Sequence, residues 1–230
     1  MKSIPPEFGE KFNQIHNTIQ GAHALERSRQ IEAAQDAYLA CLKMASSEHI
    51  PILEGQLVEI WMGIAFCHAD HNDWPQALDW YHRAEAALQS SPEFHPDPKS
   101  PQARANAKKW TPHLPKGVQV IFQEGYPAKK HLATLYDSIA LAYDNSGQLE
   151  QAMKYYQNSI DLHRETGNLE GEAQANFHQA VGFQRRQDWG NLAIASANML
   201  SAASSAGIKP LILAASRLLA HSMSTRCPSS

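Results

Sequence analysis

The densest group of side chains that could do chemistry is the run Cys67-His68-Ala69-Asp70-His71. Cysteine, histidine and aspartate are all metal-ligand types. Adjacent residues on a helix point in different directions, so His68 and His71 could share a face while Cys67 would not readily join them. The sequence also lacks the GxSxG, GxxxxGK[ST] and HExxH motifs. We therefore predict no metal site, no catalytic residues and no cofactor.

Composition narrows the class of protein further. The 230-residue chain has a net charge of -3 and 43% hydrophobic residues, which is ordinary for a soluble globular protein. A nucleic-acid-binding protein would need a basic balance, and three widely spaced cysteines without a CxxC pair indicate neither a disulfide framework nor a zinc ribbon. No apolar run reaches the ~20 residues of a membrane span. We expect a cytoplasmic protein that binds neither nucleic acid nor a membrane.

The elements that must position any functional side chain come from a repeat, which is clearest from Ala133 to Ser205. In its first part, apolar and small residues recur at helical spacing on both sides of a turn at Gly147. They are Tyr136, Ile139, Ala140 and Tyr143 before the turn, and Leu149, Ala152, Tyr156, Ser159 and Ile160 after it. Two helices joined by so short a turn must lie antiparallel.

This pattern resembles the tetratricopeptide repeat, whose motif sets aromatic, Leu, small, Tyr, Gly, Ala, aromatic and Ala residues in a fixed order. The motif's final proline is absent here. The step from Ala133 to Ala173 is 40 residues, longer than the basic repeat of about 34. That spacing is similar to the longer-helix variety seen in kinesin light chains, in regulators of G-protein and spindle orientation, and in bacterial peptide-responsive regulators.

The same frame fits four places in the chain, and the resemblance implies the fold. We predict an all-α protein, a right-handed superhelical stack of about four antiparallel helix pairs, forming a single domain over residues 1–230. The pairs are predicted near 8–46, 52–90, 129–166 and 169–205. A helix over 208–224 is predicted to cap the last pair. A dimer interface or a partner-binding face is the alternative for its apolar side.

A proline-rich insertion, 92–127, separates the second copy from the third. Its prolines break it into short pieces, with a short helix predicted over 102–110 and a short strand over 118–122. A long connection of this kind is either functional or a plain surface loop. The functional interpretation is an arm over the groove or a docking element that contains Trp110. The insertion is locally basic, but Glu93, Asp97 and Glu124 partly offset its charge, which favours a solvated face over an anionic-ligand site.

The resemblance also implies where a partner would bind, because the first helices of each pair line the concave surface in this family. The groove residues implied are His23, Glu26, Glu59, Met62, Phe66, Asp137, Leu141, Asp144, Phe177, His178, Val181 and Gln184. The family's carboxylate clamp of Lys, Asn and Arg is lacking, since Ile19, Met62, Asp137 and Leu141 occupy its positions. A segment with basic and apolar residues would suit this groove.

The function that the resemblance implies is that of a non-enzymatic protein–protein interaction module. It would bind a peptide or protein segment in its concave groove, with a scaffold or assembly role, as a monomer or a weak homodimer. The alternative is a ligand- or peptide-responsive regulatory sensor in which the 92–127 insertion acts as a lid.

Overall fold

The computed structural model describes residues 8–97, 100–123 and 125–226. Positions 98, 99 and 124 of the predicted insertion, and both ends of the predicted domain, lie outside the described residues. The chain divides into two compact units, the first ending at Lys129 and the second beginning at Lys130. One continuous domain over 1–230 stays a prediction.

The first unit contains two antiparallel helix pairs. They are α1 (Gly9–Arg27) with α2 (Ile31–Ser47), and α3 (Glu54–Asp70) with α4 (Trp74–Leu88). Helix α3 also packs against α1 and α2. The approach of α2 to α3 is close, because a Cβ atom at Gly63 would lie 2.2 Å from the ring of Tyr38. The absence of a side chain at Gly63 lets α2 and α3 approach closely.

The insertion folds onto the first unit. It contains α5 (Pro101–Trp110), a single 3-10 turn (Thr111–His113) and strand β2 (Val120–Ile121), which pairs in parallel with β1 (Ile52–Leu53). The predicted short helix and strand are therefore confirmed. The docking interpretation of Trp110 is wrong, because its side chain is 3% exposed and packs edge-on against Trp61. An aromatic side chain used as core is not available to a partner.

The second unit holds the remaining helices. Helix α6 (Ala128–Asn145), which begins just before the boundary, pairs with α7 (Leu149–Glu165) through a buried cluster of Ala140, Ala152 and Tyr156. Helix α8 (Leu169–Arg185) pairs with α9 (Trp189–Ala206). The last helix, α10 (Lys209–Arg226), packs on α9 and α8 through Leu211, Ile212 and Leu218. It covers the last pair, as expected of a capping helix.

The turn inside each helix pair uses one backbone conformation. A residue with positive φ stands at the same repeat slot in all four pairs, namely Arg29, Asn72, Gly147 and Gln187. Each turn closes with a hydrogen bond that spans five residues, such as the 2.8 Å bond from Gln148 N to Tyr143 O. This is the Schellman arrangement that ends helices. Only one of the four residues is a glycine, although the conformation favours it.

Across the described ranges the protein is therefore all-α apart from the two-residue strands, with helices packed in neighbouring pairs, and the predicted fold class is confirmed. No described helix has the length and apolarity to span a membrane.

Candidate functional site

The first helices of the two pairs in the second unit, α6 and α8, lie side by side in a fixed register. His178 Nδ1 lies 2.7 Å from Asp137 Oδ2, and Arg185 pairs with Asp144. Both contacts join residues that are 41 positions apart, so α6 and α8 run parallel. Residues one repeat period apart therefore lie opposite each other on the two helices. Leu141 lies on α6 between these two contacts. We call this surface the α6–α8 face; it comprises Asp137, Leu141, Asp144, Phe177, His178, Val181 and Gln184.

Apolar side chains on the α6–α8 face remain partly open to solvent. Leu141, Phe177 and Val181 are half-buried, as is Gln184. The ring of Phe177 lies 5.6 Å from that of His178 in a tilted contact. The register brings together the seven predicted groove residues of this unit, and their role in binding a partner stays a prediction.

The carboxylate of Asp144 is not the free acidic group that the sequence suggests. Its side chain is 3% exposed and pairs with both Arg185 and Arg186, the latter at 3.2 Å. Asp137 is likewise engaged by His178. Because these contacts compensate the negative charge inside the unit, the expectation that acidic groups here would attract a basic segment loses its main support.

A polar pocket of about 260 Å³ lies at one end of this face, lined by residues that include Lys130, Asp137, His163 and Glu170. His163 is buried, and burial lowers its pKa, so the imidazole is neutral. Its Nδ1 accepts a hydrogen bond from Asn168 Nδ2 at 3.1 Å, which leaves the proton on Nε2. The imidazole thereby fixes the turn between α7 and α8, which is a structural role.

The predicted groove residues of the first unit lie on α1 and α3. Glu26 accepts a hydrogen bond of 2.8 Å from the hydroxyl of Tyr38, and His23 tilts against the same ring. Glu59 and Met62 are half-buried, whereas Phe66 is 40% exposed. Glu26 therefore helps to hold α2 in place, and Phe66 is the most open apolar side chain of the five.

Comparisons with known proteins agree with this geometry. Residues 133–166 match the family model described as tetratricopeptide repeat. This is a TPR-like protein. It is similar in fold to the helical-repeat protein BtubC (BKLC) from P. vanneervenii, with 12% sequence identity over 98% of this chain and 96% of that one, and a TM-score of 0.50. A comparison with curated proteins gave no match. The resemblance predicted from the sequence is confirmed.

Tetratricopeptide repeats generally mediate protein–protein interaction and are typically non-enzymatic. In this TPR-like protein the potential metal-ligand side chains of residues 67–71, at the end of α3, make structural contacts. Cys67 is buried, and burial raises its pKa to about 12. His68 contacts Gln35 and Asp73 at 3.1 and 3.2 Å, and His71 Nδ1 lies 2.9 Å from the carbonyl oxygen of Cys67. These side chains fasten the turn after α3, and no group of three or more potential ligands in the described ranges is placed to hold a metal.

One buried ionisable group of the TPR-like protein was missed by sequence reasoning. Glu54, at the start of α3, is 1% exposed, and within the described residues neither of its carboxyl oxygens has a hydrogen-bond partner. Burial raises its pKa to about 7, and the negative charge of neighbouring Glu93 adds to the rise. An acidic residue in the first turn is ordinary for a helix, so no sequence signal distinguished Glu54 from an exposed one.

Proposed function

We propose that this TPR-like protein is a non-enzymatic interaction module that binds a peptide or protein segment on its α6–α8 face, with a scaffold or assembly role. The observation that supports the proposal is the parallel register of α6 and α8. It holds Leu141 and Phe177 half-open on a frame fastened at both ends by side-chain contacts. A rigid apolar strip with polar edges is the kind of surface into which an amphipathic segment docks.

The chemistry of the segment follows from the charges. Asp137 and Asp144 already have partners, so the apolar side chains would supply most of the affinity. Buried aromatic anchors carry a large share of the energy in such interfaces. We therefore expect Phe177 to matter more than any charged residue of this face. In the first unit, Phe66 offers an open apolar position on the corresponding first helix, α3.

The test is affinity purification from the native cell, with quantitative mass spectrometry of what co-purifies. The bait variant Leu141→Ser/Phe177→Ser removes the apolar strip without touching the contacts that fasten α6 to α8. The matched control is Ile194→Ser, because Ile194 is 62% exposed on α9, which is a second helix. We expect a defined set of proteins to fall by about tenfold with the bait variant, as a loss of about 1.4 kcal/mol would give.

The control should retain that set. Equal recovery with wild type and with the Leu141→Ser/Phe177→Ser variant would show that the α6–α8 face does not bind the partner. Loss with Ile194→Ser as well would assign the effect to general surface hydrophobicity. Circular dichroism of each variant confirms that the helices are intact before the comparison is made.

A further inference from the structure

The middle of the insertion carries charge of one sign. Residues 100–123 contain Arg104, Lys108, Lys109 and Lys116 but no aspartate or glutamate. The whole chain has a net charge of -3, so the remainder carries -7 (-3 less the +4 of this segment). All four side chains are exposed. We call these four residues the basic surface.

Helix α5 is held in one orientation from below. Ala103, Asn106 and Trp110 are its buried residues, spaced to form one inward stripe. Asn106 Nδ2 donates to the Gln89 carbonyl oxygen at 3.0 Å, and Trp110 Nε1 donates to Ser90 Oγ at the same distance. The opposite side of α5, which carries Arg104 and Lys108 one turn apart, therefore faces solvent in a fixed orientation.

The segment after α5 is fastened as well. Ser46 Oγ donates to the carbonyl oxygen of Lys116 at 2.7 Å, and β2 then pairs with β1 through Ile52 and Val120. The basic surface thus lies on a preorganised frame instead of a free loop. Preorganisation lowers the entropy that a partner would have to overcome on binding.

Some cations of the protein are paired with carboxylates, and Lys109 lines a pocket that also contains Asp79 and Glu85. Arg83 pairs with Asp79, and Arg164 pairs with Glu172 at 2.7 Å. Over the part of the chain that the structure describes, none of the four residues of the basic surface forms an ion pair. Lys108 and Lys109 gain from the C-terminal end of the helix dipole, but Arg104 lies outside the last turn and repels Lys108.

We propose that the basic surface binds an acidic segment of a partner protein. Helix α5 has ten residues and is about 15 Å long, which matches a short run of acidic side chains. A long polyanion such as duplex nucleic acid would extend onto the rest of the chain, whose net charge is negative. The sequence alone favours a solvated face here, and the fixed frame and the unpaired cations are what the structure adds.

The experiment measures fluorescence anisotropy of a labelled peptide of Glu-Glu-Ala repeats with the full chain. The variant Arg104→Glu/Lys108→Glu/Lys109→Glu reverses the surface, and a second variant with Gln at the same positions only neutralises it. The matched control is Lys154→Glu/Lys209→Glu/Arg217→Glu, three exposed bases of the second unit. We expect the peptide Kd to rise by about tenfold or more in the reversed variant and to change by less than about twofold in the control.

Wild-type binding should also weaken as salt rises from about 50 to about 200 mM, because the contacts are screened. Three results would overturn the proposal: no binding of the peptide by wild type, equal losses in the reversed and control variants, or tighter binding of a labelled single-stranded DNA of the same charge. The α6–α8 face contains none of these residues, so none of these results bears on the proposed function.

Discussion

A buried carboxyl group in the first unit, Glu54, and one in the second unit, Asp144, are handled in opposite ways. Asp144 in the second unit is 3% exposed at its side chain and has two arginine partners. Glu54 in the first unit is 1% exposed, and among the described residues it accepts no hydrogen bond. Burial is therefore nearly equal, and the difference lies in the partners.

That difference sets the charge of each group. A paired carboxylate stays ionised, because the guanidinium charges offset the loss of hydration. An unpaired one holds a proton instead, since a buried ion without a partner is costly. Asp144 thus fastens α6 to α8 through its arginine partners, whereas Glu54 is protonated below about pH 7 and ionises as the pH rises above that value. Similar burial gives a structural ion in one unit and a pH-sensitive group in the other.

The largest expected effect comes from removing Asp144. Asp144→Ala leaves the Arg185 and Arg186 guanidiniums without their counter-charge, and we expect the second unit to lose about 3 kcal/mol of unfolding free energy. Urea unfolding followed by tryptophan fluorescence measures this, because Trp189 is the only tryptophan in sequence after residue 110. A background in which the other tryptophans are replaced by Phe isolates its signal.

The control for that measurement is Asp161→Ala. Asp161 is 58% exposed and pairs with Arg164 at 3.6 Å, so its loss should cost no more than about 0.5 kcal/mol. If the two variants differed from each other by less than that amount, the Asp144 contact would not be the fastener we describe.

The second effect concerns Glu54 and depends on pH. Its folded pKa of about 7 lies above its ordinary value of 4.5, so the folded state binds more protons between these values. The contribution of Glu54 to the free energy of unfolding is fully present below about pH 4.5 and is lost as the pH rises to about 7. The loss amounts to about 3 kcal/mol at most. Glu54→Gln should match wild type near pH 4 and exceed it by about 3 kcal/mol at pH 8.

The readout is urea unfolding at several pH values in a Trp189→Phe background, whose remaining tryptophans all lie in the first unit. Glu59→Gln on the same helix is the matched control and should keep the wild-type slope. A wild-type slope retained by Glu54→Gln would mean that Glu54 is ionised in the folded state, and the contrast with Asp144 would then fail.

The helix pairs were within reach of the sequence because their packing is local and periodic. Ala140, Ala152 and Tyr156 repeat at helical spacing, and the structure buries all three. The conformation of the turns could be predicted from the sequence only in part. Arg29 and Gln187 occupy the slot that Gly147 fills, with the same positive φ. The left-handed conformation costs an ordinary residue about 1 kcal/mol, which surrounding packing can offset. The same turn therefore forms without a glycine, and its sequence signal is absent at those positions.

The pairings between helices were not predicted, although part of the signal was present. Asp137 and Asp144 were expected to face a partner, but His178 and Arg185 stand 41 residues later, one repeat period away. Applying the period to charged residues as well as to packing residues would have matched them. The contact between Glu54 and the segment at Ser91 has no such period, because 92–127 contains no repeat.

The smallest expected effects test whether the contribution of an ion pair to stability falls as its carboxylate becomes more exposed. Asp137 is 17% exposed and faces His178, whereas Asp70 is 30% exposed and its partner Arg29 is 77% exposed. His178→Ala should cost about 1 kcal/mol, because it leaves a mostly buried carboxylate without that hydrogen bond. Asp70→Asn should cost no more than about 0.5 kcal/mol, since solvent screens both of its charges.

Both variants are measured by urea unfolding, the first through Trp189 and the second through the tryptophans of the first unit. Asp144, Asp137 and Asp70 then form a series in which exposure rises and the expected cost falls. A cost for Asp70→Asn equal to that of His178→Ala would break the series. Pairing strength would then depend on the geometry of each contact and not on burial.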